Sequence, residues 1–94
     1  MKFLKYSANG NDFILFDSPS RIPEEGEIQR LCDRHFGIGA DGILILSEDE
    51  ASTRMRIFNS DGKEADMCAN GLRSAFTYLS EKKRALVVST RNGL

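Results

Sequence analysis

Short apolar runs bounded by turn-forming residues dominate this sequence, a pattern that predicts β-strands. Phe13-Ile14-Leu15-Phe16 lies at the centre of one predicted strand, and Ile43-Leu44-Ile45-Leu46 has the unbroken apolar character of a buried one. Between Thr53 and Asn59, apolar residues alternate with arginines, which is the period of a half-buried strand. The predicted strands are Met1–Tyr6, Asp12–Asp17, Ile43–Leu46, Thr53–Asn59 and Ala85–Thr90, with a returning segment at Lys63–Met67.

Two other segments place apolar residues at helical spacing. The first helix is predicted to begin at Pro23, because proline is favoured at the first position of a helix. Its apolar face is formed by Ile28, Leu31, Cys32 and His35. The second helix is predicted over Ala69–Lys82, with an apolar stripe of Leu72, Ala75, Phe76 and Leu79 that Tyr78 widens.

Residues that tolerate left-handed backbone mark the turns between these elements. They include Ser7–Asn11, the pair Asp61-Gly62 and the pair Asn92-Gly93, which is a strong hairpin signal. Only Leu94 follows the last pair, so we expect the chain to be part of a longer domain. The alternative is a frayed natural C-terminus.

Composition excludes several classes of protein. The 94 residues suffice for one small domain, and 40% hydrophobic with 29% charged residues is typical of globular rather than disordered chains. With 13 basic and 14 acidic residues there is no basic excess, so we expect no nucleic-acid partner. The longest apolar run is too short to span a bilayer and the N-terminus lacks a secretory pattern, so we expect a cytoplasmic protein with no membrane partner and with its cysteines as thiols.

The glycines between the first helix and the third strand satisfy a nucleotide-binding spacing. Gly37-Ile38-Gly39-Ala40-Asp41-Gly42 matches G-x-G-x-x-G, but that fingerprint must follow a strand and open a helix. Here the order is reversed, so a tight helix-to-strand loop is the better interpretation. With His35 as the single histidine, no metal site is predicted either, and a carbonyl-capping role is expected for His35.

The segment before the second predicted helix carries the most informative chemistry. Cys68 directly precedes Ala69, where unpaired backbone N–H groups and the helix dipole would stabilise a thiolate. The same N–H groups can bind a carboxylate. Cys68 is therefore a candidate proton-transfer group or nucleophile, and a buried structural cysteine is the alternative. Cys32, on an apolar helix face, is predicted to be a core thiol.

Two asparagines at strand ends complete the candidate site. Asn11 begins the second strand and Asn59 ends the fourth, and each side-chain amide can both donate and accept, as recognition of an amino acid's ammonium and carboxylate requires. The alternative for each is turn formation.

Four segments, in this order, resemble diaminopimelate epimerase. They are Gly10-Asn11-Asp12-Phe13, Arg34–Gly42, Arg56–Gly62 and Met67-Cys68-Ala69-Asn70-Gly71. The resemblance extends over all 94 residues and corresponds to the first part of that family's chain. It implies an α/β fold of the α+β type, in which a mixed or antiparallel sheet curls around a central helix. Residues 1–94 would then be an incomplete N-terminal domain whose second domain is absent.

The family's chemistry supplies the expected roles. Its enzymes interconvert LL- and meso-diaminopimelate in lysine and cell-wall biosynthesis, without pyridoxal phosphate, through one cysteine from each of two domains. By motif, Cys68 is the N-terminal member of that pair, and Asn11, Asn59, Ala69 and Asn70 bind the substrate. The resemblance also implies no cofactor, a homodimeric complete protein and a fragment that is inactive alone.

The sequence departs from the family pattern in several places. Ala69 stands where glycine is usual, Ser7-Ala8-Asn9 stands where His-Gly-Leu is usual, and Gly42 falls where some members have a substrate-binding glutamine. A second catalytic cysteine is also missing. Two other functions remain open: a related cofactor-independent amino-acid racemase, and a non-catalytic small-molecule-binding or interaction module.

Overall fold

The structure is a computed structural model that describes residues 3–48, 53–66, 69–81 and 88–89. Its elements in chain order are β1 (Leu4–Ala8), β2 (Asn11–Asp17), α1 (Glu25–Cys32), β3 (Gly42–Glu48), β4 (Thr53–Asn59), β5 (Glu64–Ala65), α2 (Ala69–Glu81) and β6 (Val88–Ser89). Each predicted element has a counterpart among the described residues. The predicted Asn92-Gly93 turn lies outside the described residues. Within the described ranges, neither helix is long and apolar enough to cross a membrane.

The strands form one mixed sheet, in agreement with the predicted α/β fold. The sheet order is β1-β2-β3-β4-β5, and β6 pairs with the other end of β4. β2 and β3 are parallel, with Phe13 opposite Gly42, and α1 makes the connection between them. The pairs β1–β2, β3–β4 and β4–β5 are antiparallel hairpins, while β6 lies parallel to β4.

A two-residue turn joins β1 to β2. Asn9 and Gly10 have φ of 50° and 86°, and Ala8 pairs with Asn11 on either side of them. Two successive positive φ values identify a type I′ turn, which suits the twist of a hairpin. The sequence predicted a five-residue turn, but because this geometry needs only two residues, the strands extend through Ala8 and from Asn11.

The sheet is buried on both faces by the two helices. Because side chains alternate along a strand, consecutive residues of β2 and β3 enter different cores. On the α2 side the core is Phe13, Leu15, Leu44, Leu46, Met55, Ile57, Ala75, Tyr78 and Leu79. On the α1 side it is Ile14, Phe16, Ile28, Cys32, Ala40, Ile43, Ile45 and Phe58. The unbroken apolar runs of the sequence are thus explained by a sheet packed between helices.

Helix α1 is shorter than predicted at both ends. It begins at Glu25 rather than at Pro23, and the Glu24 N–H donates to the carboxylate of Glu27 at 3.3 Å in its first turn. It ends at Cys32, so His35 lies in the following turn with an exposed side chain. The prediction that His35 continues the apolar face was therefore wrong.

The glycine-rich segment caps this helix through its backbone. The N–H groups of Ile38 and Gly39 both donate to the Leu31 carbonyl at 3.0 Å, and that of Ala40 donates to the Cys32 carbonyl at 3.1 Å. These bonds satisfy the terminal carbonyls, the role predicted for His35. The interpretation of G-x-G-x-x-G as a helix-to-strand loop is confirmed.

Helix α2 buries most of the predicted stripe, since Ala75, Tyr78 and Leu79 are buried and Leu72 packs against the same core. Its buried residues are Gly71, Ser74, Ala75, Tyr78 and Leu79, whereas Phe76 is 38% exposed. The predicted stripe was centred on the large apolar side chains, whereas the small residues Gly71 and Ser74 also belong to the buried face. The inclusion of Phe76 in the core was wrong.

We predict opposite stability effects for two glycine substitutions. A Cβ at Gly37 would lie 1.9 Å from the backbone oxygen of Arg30, so Gly37→Ala should destabilise the fold by about 2 kcal/mol or more. Gly26 lies inside α1, where a Cβ meets only the flexible end of Arg30 at 3.7 Å, so Gly26→Ala should stabilise by about 0.5–1 kcal/mol. Urea denaturation of the two variants tests this, and equal shifts would contradict the described loop.

We also predict that Cys32 is unreactive in the native protein. Its side chain is 5% exposed, and burial raises the pKa of the thiol from 9.0 to about 11. Since the thiolate is the reactive form, iodoacetamide at about pH 8 should modify Cys32 only after unfolding in urea. Peptide mass spectrometry measures the labelling, with Cys68 as the second site in the same sample. Equal labelling of Cys32 with and without urea would refute its burial.

Candidate functional site

The register of the sheet gathers three strand ends at one edge. β2 and β3 are parallel and begin there, and β4 is antiparallel to β3 and ends there, with Asn59 opposite Gly42. Asn11 is the first residue of β2 and Asp41 directly precedes β3. Asn11 and Asn59, predicted from separate motifs, therefore lie at the same edge of the sheet.

The beginning of α2 reaches this edge. Asn70 is the second residue of the helix, and its Nδ2 donates to Asn11 Oδ1 at 2.6 Å. Ala69, the first residue, is exposed beside it. The structure thus brings Asn11, Ala69 and Asn70 together, with a helix N-terminus that presents unpaired backbone N–H groups.

Asn59 has the turn role that the sequence left open, and its substrate-binding role stays a prediction. Its backbone belongs to the β4–β5 turn, because its N–H donates to the Lys63 carbonyl and its carbonyl accepts from the Gly62 N–H, both at 2.9 Å. The turn predicted at Asp61-Gly62 is therefore confirmed. The Asn59 side chain makes no hydrogen bond to another described residue, so its amide is available at the edge.

The structure tests the prediction for one of the two cysteines and not for the other. Cys68 lies outside the described residues, and its predicted role stays a prediction that rests on its position next to Ala69 in the sequence. Cys32 is a core thiol, as predicted, and belongs to the cluster on the α1 side of the sheet. Since α2 packs on the other side, the sheet separates Cys32 from the beginning of α2.

Alanine at position 69 fits the helix without strain. Among the described non-glycine residues, positive φ occurs at Asn9 and Ser18 and not at Ala69. A left-handed backbone, which would favour glycine, is not required there. The departure from the family's usual glycine therefore leaves the first turn of α2 intact.

A cluster of charged side chains lies next to Asn11, around Asp12 and Asp41. Arg34 donates to both carboxylate oxygens of Asp12 at 2.8 and 3.1 Å and to Asp41 at 3.2 Å, while the Lys5 ammonium lies 3.3 Å from Asp12. The hydrogen bonds from Arg34 hold the pKa of the Asp12 carboxyl well below its ordinary value. Asp12 is therefore ionised, and both carboxylates are compensated by cations.

The free hydrogen-bonding groups of Asn70 favour an anionic ligand. Its Oδ1 accepts from Asn9 Nδ2 at 3.1 Å and from Arg73 at 3.4 Å, which occupies both lone pairs. Only the second Nδ2–H remains for a ligand. Together with the backbone N–H groups at the N-terminus of α2, it makes a set of donors that suits a carboxylate. Within the described residues, no group of three or more His, Cys, Asp or Glu side chains could hold a metal ion.

Sequence analysis missed Asn9, Arg34, Asp41 and Arg73 as parts of this site. Arg34 was assigned to the end of the first helix, and Asp41 to a loop. Their meeting with Asp12 depends on the parallel pairing of β2 with β3, which no local pattern specifies. Asn9 could have been found, because a type I′ turn at Asn9-Gly10 fixes its position beside Asn11.

Comparison with known proteins assigns this arrangement to a family. The family model for diaminopimelate epimerase matches residues 3–94. The diaminopimelate epimerase of Caldanaerobacter subterraneus is 43% identical over 99 residues, covering 100% of this chain and 36% of the relative. That of Methanococcus maripaludis is 50% identical over 86 residues, covering 88% of this chain and 31% of the relative. The chain thus spans about a third of the length of these relatives.

The solved structures that share this fold are described as members of the PhzF family. The phenazine biosynthesis protein of the PhzF family from Bacillus anthracis has a TM-score of 0.69 at 25% identity, over 99% of this chain and 34% of that one. Its counterpart from Enterococcus faecalis has a TM-score of 0.66 at 18% identity, over 99% of this chain and 38% of that one. These likenesses support the fold, and the match to the family model together with the identities of the relatives establishes that the chain belongs to the diaminopimelate epimerase family.

Proposed function

We propose that this chain is the N-terminal domain of a diaminopimelate epimerase, which interconverts LL- and meso-diaminopimelate for lysine and peptidoglycan synthesis. The observation that carries the proposal is the hydrogen-bonded contact of Asn11 with Asn70 at the N-terminus of α2, at the edge where Asn59 also lies. Family membership supplies the substrate class. The donors left free at this edge match the carboxylate of an amino acid.

In the proposed reaction, one α-carbon is inverted by two thiols on opposite faces. A thiolate takes the α-proton, the electron pair is held as the enolate of the carboxylate, and a thiol on the other face returns a proton. Cys68 is the thiol from this domain and donates the proton in the LL to meso direction. The reaction leaves the two cysteines with their protonation states exchanged, so the substrate is converted without net acid or base.

The α-proton of an amino acid is weakly acidic, so the developing negative charge must be stabilised in place. The N-terminus of α2 supports this role twice. Its N–H groups and dipole lower the pKa of an adjacent thiol, and the same donors stabilise the carboxylate as charge builds on it. Ala69 and Asn70 supply these donors, while Asn11 and Asn59 bind the rest of the substrate. No pyridoxal phosphate or metal ion is needed in this scheme.

The second thiol comes from outside this chain in the proposed scheme. Cys32 is 5% exposed and is held in the core on the α1 side of the sheet, so its thiol is closed to a ligand. The complete protein is therefore proposed to contain a second domain, with the substrate bound between the two, and to act as a cytoplasmic homodimer.

The complete protein should form meso- from LL-diaminopimelate, and Cys68→Ser should lower kcat/KM by about 10²–10⁴-fold, the usual contribution of a general acid or base. Chromatographic separation of the stereoisomers measures the conversion. Cys32→Ala is the matched control, because it removes the other thiol and should cost stability rather than catalysis. Full activity of the Cys68 variant would contradict the two-thiol mechanism. Racemisation of another amino acid in preference to diaminopimelate would contradict the proposed substrate.

We further predict that residues 1–94 alone do not catalyse the reaction, because one thiol cannot serve both faces of the α-carbon. Chromatographic separation of the stereoisomers after incubation of LL-diaminopimelate with the isolated chain should show no meso isomer above the rate without protein. The complete protein, assayed alongside, is the positive control. Measurable inversion by the isolated chain would contradict the need for a second thiol from outside these residues.

A further inference from the structure

Three side-chain amides form a continuous chain of hydrogen bonds across the candidate site. Asn9 Nδ2 donates to Asn70 Oδ1 at 3.1 Å, Asn70 Nδ2 donates to Asn11 Oδ1 at 2.6 Å, and Asn11 Nδ2 approaches Asp41 Oδ2 at 3.5 Å. We call Asn9, Asn70 and Asn11 the amide chain. Each amide donates in the same direction, so the orientation of one fixes that of the next.

Two charged side chains decide that direction. The carboxylate of Asp41 accepts, so Asn11 turns its Nδ2 towards it and its Oδ1 towards Asn70. At the middle amide, the guanidinium of Arg73, which can only donate, lies 3.4 Å from Asn70 Oδ1. A flip of either amide would place two donors or two acceptors against each other.

Asp41 is itself held in place by bonds that do not involve the asparagines. Its Oδ2 accepts from the Asp12 N–H at 2.9 Å, and its own N–H donates to the Asp12 carbonyl at 2.9 Å. Arg34 donates to its other oxygen, Oδ1, at 3.2 Å. The carboxylate is therefore a fixed acceptor at the beginning of two parallel strands.

We propose that Asp41 is a positioning residue that sets the amide orientation of Asn11 and, through it, of Asn70. The inference rests on the proposed function in taking these two asparagines as substrate-binding. With one Nδ2–H of Asn11 directed at Asp41 and one Oδ1 lone pair used by Asn70, one donor and one acceptor remain for the ligand. Asp41 thereby determines which atoms the substrate meets without touching it.

A first experiment detects the orientation without any assay of activity. In the complete ¹⁵N-labelled protein, Asp41→Ala should shift the side-chain amide signals of both Asn11 and Asn70. Asn59 lies at the same edge outside the amide chain, so its side-chain signal should stay in place. Unchanged Asn11 and Asn70 signals, or equal shifts at all three asparagines, would overturn the proposal.

A second experiment separates positioning from a general structural role. Asp41→Ala should raise the KM for diaminopimelate about tenfold with kcat nearly unchanged, as for loss of binding common to ground and transition states. Asn11→Ala should do the same, and in that background Asp41→Ala should add nothing to KM, because it acts through Asn11. Additive effects in the double variant would overturn the proposal.

Three further variants keep the result interpretable. Asp41→Asn keeps the shape and one acceptor oxygen and should recover most of the lost affinity, whereas failure to recover it would count against the proposal. Asp41→Ser shortens the side chain and withdraws the carboxylate oxygen from Asn11 while keeping a polar group, so it replaces the alanine variant if that one does not fold. Glu27→Ala is the matched control, since it removes a carboxylate bound by Arg21 at 2.7 and 2.8 Å, and should leave KM unchanged.

The two experiments also distinguish this inference from the proposed function. If the complete protein does not epimerise diaminopimelate, the proposed function fails, yet the NMR experiment still decides whether Asp41 orients the amides. If epimerisation occurs and the amide signals do not respond to Asp41→Ala, the positioning role fails alone.

Discussion

The parallel pairing of β2 with β3 is the constraint on which the rest of the structure depends. A parallel pair cannot be closed by a tight turn, so the chain must cross from the end of β2 to the beginning of β3, and α1 makes that crossing. The crossing covers one face of the sheet and leaves the other for α2. It also places Asp12 next to Asp41, and the backbone N–H of Asp41 donates to the backbone carbonyl of Asp12 at the site.

The same pairing requires a close approach of three strands at the site edge. Gly42 lies between Phe13 and Asn59, and a Cβ there would be 2.7 Å from the backbone oxygen of Phe58. The position where some members of the family place a glutamine is thus closed to a side chain unless the backbone moves. Polar groups at this edge must therefore come from its neighbours, and Asp41 is one of them.

Local patterns predicted the strands and helices well, because the periodicity of each depends only on consecutive residues. Thr53–Asn59 and the start of α2 at Ala69 were predicted to the residue. The errors at His35 and Phe76 share a cause, since both assumed that a large or apolar side chain continues a stripe. At His35 the backbone of a glycine-rich loop ended the helix first, and at Phe76 the buried face of α2 lies on the side of Gly71 and Ser74 instead.

The candidate site was predictable only in part, and for a physical reason. Asn11 and Asn59 could be identified because each lies at the end of a strand, where polar side chains are not needed for packing, whereas Asn70 was identified through the family resemblance. Their orientation could not, because an amide has no preferred direction until its neighbours impose one.

Asp41 is 30 residues from Asn11 in the sequence, a separation that forms no motif, whereas Arg73 is 3 residues from Asn70, the spacing at which side chains of one helix meet. The donor and acceptor pattern seen by a ligand is therefore a property of the folded sheet. Next to the amides, Arg34 pairs with both Asp12 and Asp41, so these two carboxylates are compensated. Arg73 adds a cation beside Asn70, and together with the oriented amide donors it suits a carboxylate.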